Sequence, residues 1–495
     1  LDTEGASLGQ LEALVGHSLL HVRGNRFRLL TSVKAFAREH RAEARRVGEQ
    51  RHGRWLSRLG EAQMILLAVQ HWSVTLKMAT NLDDLIVASR RAVTRGDAEV
   101  AAATALAAVQ ALTRVGSPSL AMPLVEAALP LGAREAELRR ARGVILYRSG
   151  REGDALRTFE EALEVVTGRD RLPFELMVAR MRFQGRADEL RRVELAIQAL
   201  IDAGMGHRTE VAQESLGQMY AAVGRLTDGE RLLNQTQARR ERLGRDTANL
   251  RGLLADVHAR RGQFRRAIQA MEAAHEELAS RRADLLQAVW MGKLADVLRA
   301  FGDTEGAESW ATRCIPLGLE VGYTPVAVLG RHVLLQLALD RGDRAAAEAH
   351  TAEAYAVLGS TDDGGALARV DVARARVAFW AGDAERGNAL LARAQVRKHW
   401  HLYVALEVVE VAVELGDPVE ARAWLEESET KVTVEDRVLR LRLLVARAVL
   451  EHRTGHRNEA RGALLQASQL LGETDLPPEA PLARRCAALR AQLAG

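Results

Sequence analysis

Only a few residues of this 495-residue chain have the types and spacing that catalysis or metal binding requires. Residues 5–9, GASLG, match the GxSxG pattern of a hydrolase nucleophile, but that serine must follow an apolar strand, and none precedes it. His452 and His456 are four residues apart, as helical metal ligands can be, but the Thr-Gly pair between them indicates a turn. We therefore expect no catalytic residue and no metal site in this chain, and we do not expect an enzyme.

Three further groups of residues also give no reason to expect a catalytic or metal-binding site. His399 and His401 are two residues apart and would point away from each other on a helix. Residues 362–365, DDGG, lack the spacing of a calcium-binding loop and are expected to connect two helices. Cys314 and Cys486 belong to no CxxC pair, which favours a reducing compartment over a disulfide framework. The sequence predicts no cofactor in this chain.

The composition favours an all-α fold. Hydrophobic residues make up 47% of the chain and aromatic residues 4%, there are 10 prolines, and the helix formers Ala, Leu, Arg and Glu dominate. The net charge is +4, from 69 basic and 65 acidic residues that are interspersed, so direct nucleic-acid binding is not expected. No apolar run reaches the roughly 18 residues of a membrane span, and the polar N-terminus has no signal-peptide pattern. We expect a cytoplasmic protein without a membrane segment.

Short turns that contain glycine recur along the chain, and a small residue, alanine or glycine, follows each turn glycine five positions later. The turn glycines are Gly96, Gly150, Gly224, Gly262, Gly302, Gly342, Gly382, Gly416 and Gly455. From Gly224 onward they are 38, 40, 40, 40, 34 and 39 residues apart, a period that predicts a solenoid of antiparallel helix pairs. We expect the glycine to end the first helix in the left-handed conformation and a short polar or acidic residue to begin the second.

One unit of this array, residues 137–166, closely resembles the tetratricopeptide repeat (TPR) pattern of small, aromatic, turn and alanine positions. The matching residues are Gly143, Tyr147, Gly150, Ala155, Phe159 and Ala162. The other units keep the turn and most of the small residues, so the resemblance covers roughly residues 82–495; an additional pair is predicted around Gly185. The resemblance implies a right-handed superhelix of antiparallel helix pairs.

The front of the chain has a different pattern. Residues 14–40, LVGHSLLHVRGNRFRLLTSVKAFAREH, predict a helix end, a strand, a turn at residues 23–25, a second strand and a helix that begins at Thr31 or Ser32. This order, with the linker motifs in residues 51–56 and 81–97, resembles the end of the winged-helix domain and the following linker in STAND signalling ATPases, as in the bacterial regulators AfsR and MalT. The chain has no GxxxxGK[ST] loop, so the resemblance implies an ATPase domain upstream of residue 1.

The sequence therefore predicts three regions: a winged-helix remnant at 1–45, a helical linker with the first degenerate repeats at 46–130, and a TPR-like solenoid at 131–495. In TPR arrays the first helices of the pairs line a concave groove in which ligands bind. We therefore expect groove residues among the polar and aromatic side chains of the helix that precedes each turn. The candidates are Arg140, Tyr147, Gln218, Asn249, Asp256, Asp296, Arg299, His332, Gln336, Arg369, Arg376, Trp380 and His452.

Two functions fit these predictions. In the first, the solenoid binds a protein or small-molecule effector in its groove and biases an upstream STAND ATPase with a transcriptional or signalling output. In the second, the chain is a free-standing TPR scaffold that holds partner proteins together. Neither function needs catalysis by this chain.

Overall fold

A computed structural model of the chain describes residues 8–23, 26–40, 42–61, 64–65, 72–183, 187–358, 362–397 and 402–494. Four of the sequence motifs lie wholly or partly outside these residues: the GxSxG serine, the turn at Gly24 and Asn25, the turn at Gly185, and the pair His399 and His401.

The front of the chain folds as a helix, a β-hairpin and a second helix, as the sequence predicts. These elements are α1 (Leu8–Gly16), β1 (Leu20–Arg23), β2 (Arg26–Leu29) and α2 (Thr31–His40). The two strands are antiparallel, with Leu20 opposite Leu29 and Val22 opposite Phe27. Val22 and Phe36 are 53% and 63% exposed, so the hairpin and α2 leave apolar surface uncovered.

The rest of the described chain is helical. The next helices are α3 (Ala42–Ser57), α4 (Trp72–Thr80), α5 (Leu82–Arg95), α6 (Ala98–Val115) and α7 (Met122–Ala128). They are followed by α8 (Glu135–Arg148), α9 (Glu152–Val165), α10 (Leu172–Arg182), α11 (Ala187–Asp202), α12 (Gly206–Ala222), α13 (Leu226–Arg242), α14 (Ala248–Arg260), α15 (Phe264–Ser280), α16 (Asp284–Phe301) and α17 (Thr304–Glu320). The last are α18 (Thr324–Asp340), α19 (Arg344–Val357), α20 (Gly364–Trp380), α21 (Ala384–Arg397), α22 (Leu402–Leu415), α23 (Pro418–Lys431), α24 (Arg437–Arg453), α25 (Arg457–Leu471) and α26 (Pro481–Ala494).

From α8 to α25 each even-numbered helix is the first member of an antiparallel pair and the next odd-numbered helix is the second. The predicted turns lie between the two members, and their left-handed glycines are Gly150, Gly224, Gly262, Gly302, Gly342, Gly382 and Gly455. Gly96 is left-handed as well, between α5 and α6. Gly416 is different, because its φ is not positive. The helix that follows it, α23, begins at Pro418 and is capped by Asp417, which accepts from the backbone N–H groups of Val419 and Glu420.

The TPR-like unit packs as its sequence predicts. A Cβ atom at Gly143 would lie 2.5 Å from the ring of Phe159, so only glycine lets α8 approach α9 this closely. Phe159, Ala155 and Ala162 have no exposed surface. The chain is an all-α, TPR-like solenoid of antiparallel helix pairs.

An apolar core also runs through the region predicted as a linker. Buried side chains from Leu56 to Ile145 form one cluster, which joins α3 and α5–α7 to α8 across the predicted boundary near residue 130. Cys314 and Cys486 are free, buried thiols, and burial raises the pKa of Cys314 to about 12. Within the described ranges, no helix is long and apolar enough to cross a bilayer.

The solenoid coils tightly enough for successive superhelical turns to touch. Helices ten places apart in the chain, and thus five pairs apart, are in contact: α6 with α16, α14 with α24, and α16 with α26. At the α14–α24 contact, Arg260 and Asp436 form an ion pair whose side chains are 4% and 0% exposed. The distance from Arg260 Nε to Asp436 Oδ2 is 2.7 Å. This pair ties two turns of the superhelix together.

Carboxylates from loops between helix pairs cap helices one superhelical turn earlier. Asp362 accepts from the first two backbone N–H groups of α9, and Asp475 accepts from those of α15 at 2.6 and 3.0 Å. Glu435 accepts from the N–H of Thr227 in α13 at 2.6 Å. The bonded residues are 208 to 211 positions apart in the chain. We call these three sets of contacts, together with the Arg260–Asp436 pair, the inter-turn seam.

The three helices that are capped across the seam have no local side-chain cap. Helices α17, α19 and α21 are capped by the aspartate that follows their own turn glycine, Asp303, Asp343 and Asp383. The corresponding residues of α9, α13 and α15 make no side-chain cap, and they are Arg151, Arg225 and Gln263. The seam therefore satisfies N–H groups that the local sequence leaves open.

The superhelical turns pack closely enough at the seam to restrict Gly262 sterically and to shift the pKa of Glu152. Gly262 has φ of +80°, and a Cβ there would lie 2.6 Å from the side chain of Thr474. At the first seam contact, burial, together with the nearby charges of Asp363 and Asp362, raises the pKa of Glu152 to about 7. This carboxyl group therefore changes its charge near neutral pH.

Candidate functional site

A row of polar side chains lies on one face of α22. Its sequence, LYVALEVVEVAVEL, is apolar except for Tyr403, Glu407, Glu410 and Glu414, which are spaced by four, three and four residues. This spacing places all four on one face of the helix. We call Glu407, Glu410 and Glu414 the acidic stripe.

The first member of the stripe is held by two basic side chains from earlier first helices. Glu407 Oε1 lies 3.3 Å from His332 Nε2 of α18 and 3.7 Å from Arg369 Nε of α20. Burial alone would raise the pKa of Glu407, but the charges of His332 and Arg369 and the hydrogen bond from His332 hold it well below its ordinary value. Its other oxygen, Oε2, is buried without a hydrogen-bond partner among the described residues.

The other two members pair with arginines. Arg442 of α24 donates Nε and Nη2 to the two oxygens of Glu410, both at 2.8 Å, in a bidentate pair. Burial opposes the charge of Glu410, but Arg442 holds the pKa of this carboxyl below its usual value. Glu414 contacts Arg376 of α20 at 2.9 Å and also pairs with Arg485 of α26.

The stripe is joined to the seam through an aromatic ring. Tyr403 lies between two guanidinium groups, with the Cζ of Arg260 5.7 Å and that of Arg442 6.0 Å from its ring centre. Arg260 is the seam residue that pairs with Asp436. A movement of Arg260 would therefore change the surroundings of Tyr403, which lies on the same helix as the acidic stripe.

The acidic stripe and its basic partners form a polar lining. Several predicted groove residues belong to this lining or continue it. His332, Arg369 and Arg376 contact the stripe itself. Further toward the N-terminus, Asp256 pairs with Lys293 at 3.0 Å. Asn249 accepts from the indole of Trp290 at 3.0 Å and donates to Glu214. Arg299 lies 3.8 Å from Asp296 and 3.6 Å from Asp340.

The remaining predicted residues are not brought into these contacts. Trp380 packs against the apolar cluster around Leu335 and Ala373, with Arg344 over its ring at 5.3 Å. His452 lies near the end of α24, its Nδ1 buried without a hydrogen-bond partner among the described residues, and a turn separates it from His456, as the sequence predicts. Gln218 and Tyr147 are exposed, and Gln336 and Arg140 are partly exposed.

Sequence reasoning missed the centre of this lining. Glu407, Glu410, Glu414, Arg442 and Arg485 were not among the predicted groove residues. Their signal was present, because three glutamates with i, i+3, i+7 spacing in a valine-rich helix mark a polar face on an otherwise buried element. Charges of both signs on neighbouring first helices are a further indication.

A second concavity lies outside the lining. A pocket of about 310 Å³ is formed between α19, α20 and the start of α21. Tyr355, which is 54% exposed, stands in it with the Cζ of Arg374 4.4 Å from its ring centre. Its walls also include Thr351, Val377 and Ala381, so it is largely apolar.

The lining can bind charged and hydrogen-bonding groups, because it presents guanidinium donors and carboxylate acceptors on adjacent helices. Within the described ranges, no group of three or more His, Cys, Asp and Glu side chains is placed to hold a metal ion.

No protein-family model matches the chain, and no curated protein matches it in sequence. Solved structures with a similar fold include a Rap protein complexed with competence and sporulation factor, 14% identical, with 73% of this chain and 99% of that chain covered and a TM-score of 0.44. A STAND protein with a tetratricopeptide repeat sensor from Pyrococcus horikoshii is 15% identical, with 81% of this chain and 59% of that chain covered and a TM-score of 0.38. A tetratricopeptide repeat protein from Parabacteroides merdae is 13% identical, with 57% and 99% covered and a TM-score of 0.32.

Proposed function

We propose that this chain is an effector-binding region whose site is the polar lining around the acidic stripe. The observation that supports it is the stripe itself: three glutamates and their cationic partners occupy the inner face of an otherwise apolar helix. Placing charges inside a protein costs desolvation free energy, and apolar residues of similar volume often stabilise a fold equally well. A lining of charges is therefore better suited to recognition than to stability.

The effector would be a protein segment or a small molecule that carries charged groups. A carboxylate of the effector could take the place of a stripe glutamate on Arg442 or Arg376, and an effector amine could donate to the buried Oε2 of Glu407. Arginine recognises a carboxylate bidentately, which gives such an exchange its geometry.

A thermal-shift screen with a library of defined short peptides and charged metabolites tests this proposal, because an effector that binds only the folded state raises its Tm. The screen compares the wild type with a double variant, Glu410→Leu with Arg442→Met, which removes a pair without leaving a lone charge. Tyr355→Ala in the outer pocket is the control. We expect stabilising compounds to lose their effect in the double variant and keep it in the control; the reverse pattern contradicts the proposal.

We further propose that the effector acts on a STAND-type ATPase joined to the front of this chain, with a transcriptional or signalling output. The helix–hairpin–helix order of α1, β1, β2 and α2 supports this, as do the exposed Val22, Leu29 and Phe36, which a neighbouring domain would cover. Such coupling requires that the effector bind two states of the ATPase with different affinity. The coding sequence upstream of Leu1 tests it: a GxxxxGK[ST] motif is expected, and its absence contradicts the proposal.

A second candidate is a scaffold that binds partner proteins without an ATPase. The outer pocket favours it, because the exposed Tyr355 and the apolar walls around it are reachable without any change in the coil. In that case Tyr355→Ala weakens the binding of a partner protein to the isolated chain, and the lining double variant does not.

A further inference from the structure

The three seam carboxylates connect parts of the solenoid that no local interaction joins. At each seam contact the cap is reinforced by the backbone or by a threonine: Asp362 N–H donates to Gly150 O at 2.9 Å and Asp475 N–H to Gly262 O at 3.0 Å. Thr433, two residues before Glu435, donates its hydroxyl to Gly224 O at 2.7 Å. The same arrangement thus occurs three times along one edge of the coil.

The helices that receive a seam carboxylate are helices whose own sequence provides no capping side chain. Helices α9, α13 and α15 have no side-chain cap of their own, whereas α19 and α21 carry a local aspartate. Helix α17 also keeps its local Asp303, although its turn glycine Gly302 lies against Ala480 of a later superhelical turn. If the seam only followed from close packing, all these helices could carry the Gly-Asp turn. Helices α9, α13 and α15 instead lose a cap whenever the seam separates.

The seam is built from interactions that can be broken at small cost. Asp362 is exposed, and Glu435 and Asp475 are only partly buried, so their caps are of ordinary strength. The buried Arg260–Asp436 pair adds little to the closed state, because both charges regain their hydration when the turns separate. The closed coil is therefore held by several weak contacts that act together.

The seam and the lining are also mechanically connected. Arg260 belongs to the seam pair and lies 5.7 Å from the ring of Tyr403, on the helix that carries the acidic stripe. The closed coil leaves Glu407 only 13% exposed. An effector of more than a few atoms needs more room than this arrangement offers.

We propose that the seam is a latch that controls access to the lining. With the three borrowed caps in place the coil is closed; when they release, the turns separate and the acidic stripe becomes accessible. This inference rests on the proposed effector site for its purpose, but the latch itself can be measured on the free protein. An effector that binds the lining would select the open coil.

Small-angle X-ray scattering and hydrogen exchange on the full chain test the latch. The variant combines Asp362→Ala, Glu435→Ala and Asp475→Ala. We expect a larger radius of gyration than that of the wild type. We also expect about fivefold faster amide exchange at the start of α9, α13 and α15 for each lost cap, the factor that corresponds to ~1 kcal/mol.

Two matched controls separate the latch from a general loss of stability. The triple variant Asp362→Asn, Glu435→Gln and Asp475→Asn keeps an acceptor at each cap and should stay closed. The variant Asp303→Ala, Asp343→Ala and Asp383→Ala removes three equivalent caps inside helix pairs, and its radius of gyration should equal that of the wild type. An unchanged radius in the seam variant, or an equal increase in the local-cap variant, overturns the inference. If the seam variant opens but no library compound binds the lining, the latch stands and the proposed function fails.

Discussion

The ion pair between Arg260 and Asp436 allows a quantitative prediction about the seam. Asp436 has no exposed surface and accepts from Arg260 Nε at 2.7 Å and from the backbone N–H of Leu439 at 3.1 Å. Replacing it with serine keeps the helix cap of α24 but removes the carboxylate that pairs with the buried Arg260 guanidinium, which leaves Asp256 as its nearby negative charge. Removing one partner of a buried pair costs about 3–5 kcal/mol.

The double variant Arg260→Met with Asp436→Ser should recover most of this loss. Methionine fills a similar volume without a charge, and exchanging a buried pair for apolar groups is often close to neutral. We therefore expect a cost of about 1 kcal/mol for the double variant, and hence a coupling of about 2–4 kcal/mol between the two sites.

Urea unfolding followed by circular dichroism, with hydrogen exchange at the end of α14 and the start of α24, measures these values. The exchange data report the local opening of the two helix ends and so identify where stability is lost. A cost below about 1 kcal/mol for Asp436→Ser, or a double variant as unstable as that single variant, refutes the reasoning that each buried charge of this pair depends on the other.

Three further predictions concern single side chains. The folded-state pKa of Glu152 is raised to about 7, so the folded state holds its proton more tightly than the unfolded chain does. The free energy of unfolding should therefore fall by up to about 3 kcal/mol as the pH rises from about 4.5 to 7. Glu152→Gln should remove this pH dependence in thermal melts. The pKa of Glu407 is lowered instead, so its contribution is present near neutral pH and lost on acidification; Glu407→Gln should cost about 3 kcal/mol at pH 7 and flatten the acid limb of the same profile. Phe159→Ala should cost about 3–5 kcal/mol in urea unfolding, whereas Phe36→Ala, at an exposed site, should change stability by less than about 0.5 kcal/mol.

The helix pairs could be predicted from the sequence because their cause is local. A glycine such as Gly262 can adopt positive φ without a steric penalty, and the repetition of turn glycines every 34 to 40 residues marks the end of each first helix. Gly143 and Phe159 match a small and an aromatic position of the TPR pattern, and the structure places them directly against each other. Gly416 kept its place in the repeat but needed no left-handed conformation, because Asp417 and Pro418 form that turn.

The seam could not be predicted in this way. Whether Asp475 reaches the start of α15 depends on small rotations between neighbouring pairs, which add up over a full turn of the superhelix. The missing aspartate after Gly262 was visible, but nothing near it in the sequence shows where a replacement cap comes from.

The lining was predicted in part. Counting back from the turns found His332 and Arg369, because both lie on first helices that precede a clear turn glycine. It missed their common partner, Glu407, because α22 reads as an ordinary apolar helix unless the spacing of its glutamates is examined. Trp380 was included for its residue type, and the structure places it against an apolar cluster with an arginine over its ring.

The central claim is that the polar lining around the acidic stripe is the binding site of this solenoid. Hydrogen exchange with and without the most strongly stabilising compound of the library screen tests it most directly. The account predicts that protection increases in α18, α20, α22 and α24, and that the Glu410→Leu, Arg442→Met double variant abolishes the increase. Protection confined to the segments around Tyr355 and Arg374, or unchanged in the double variant, would contradict it.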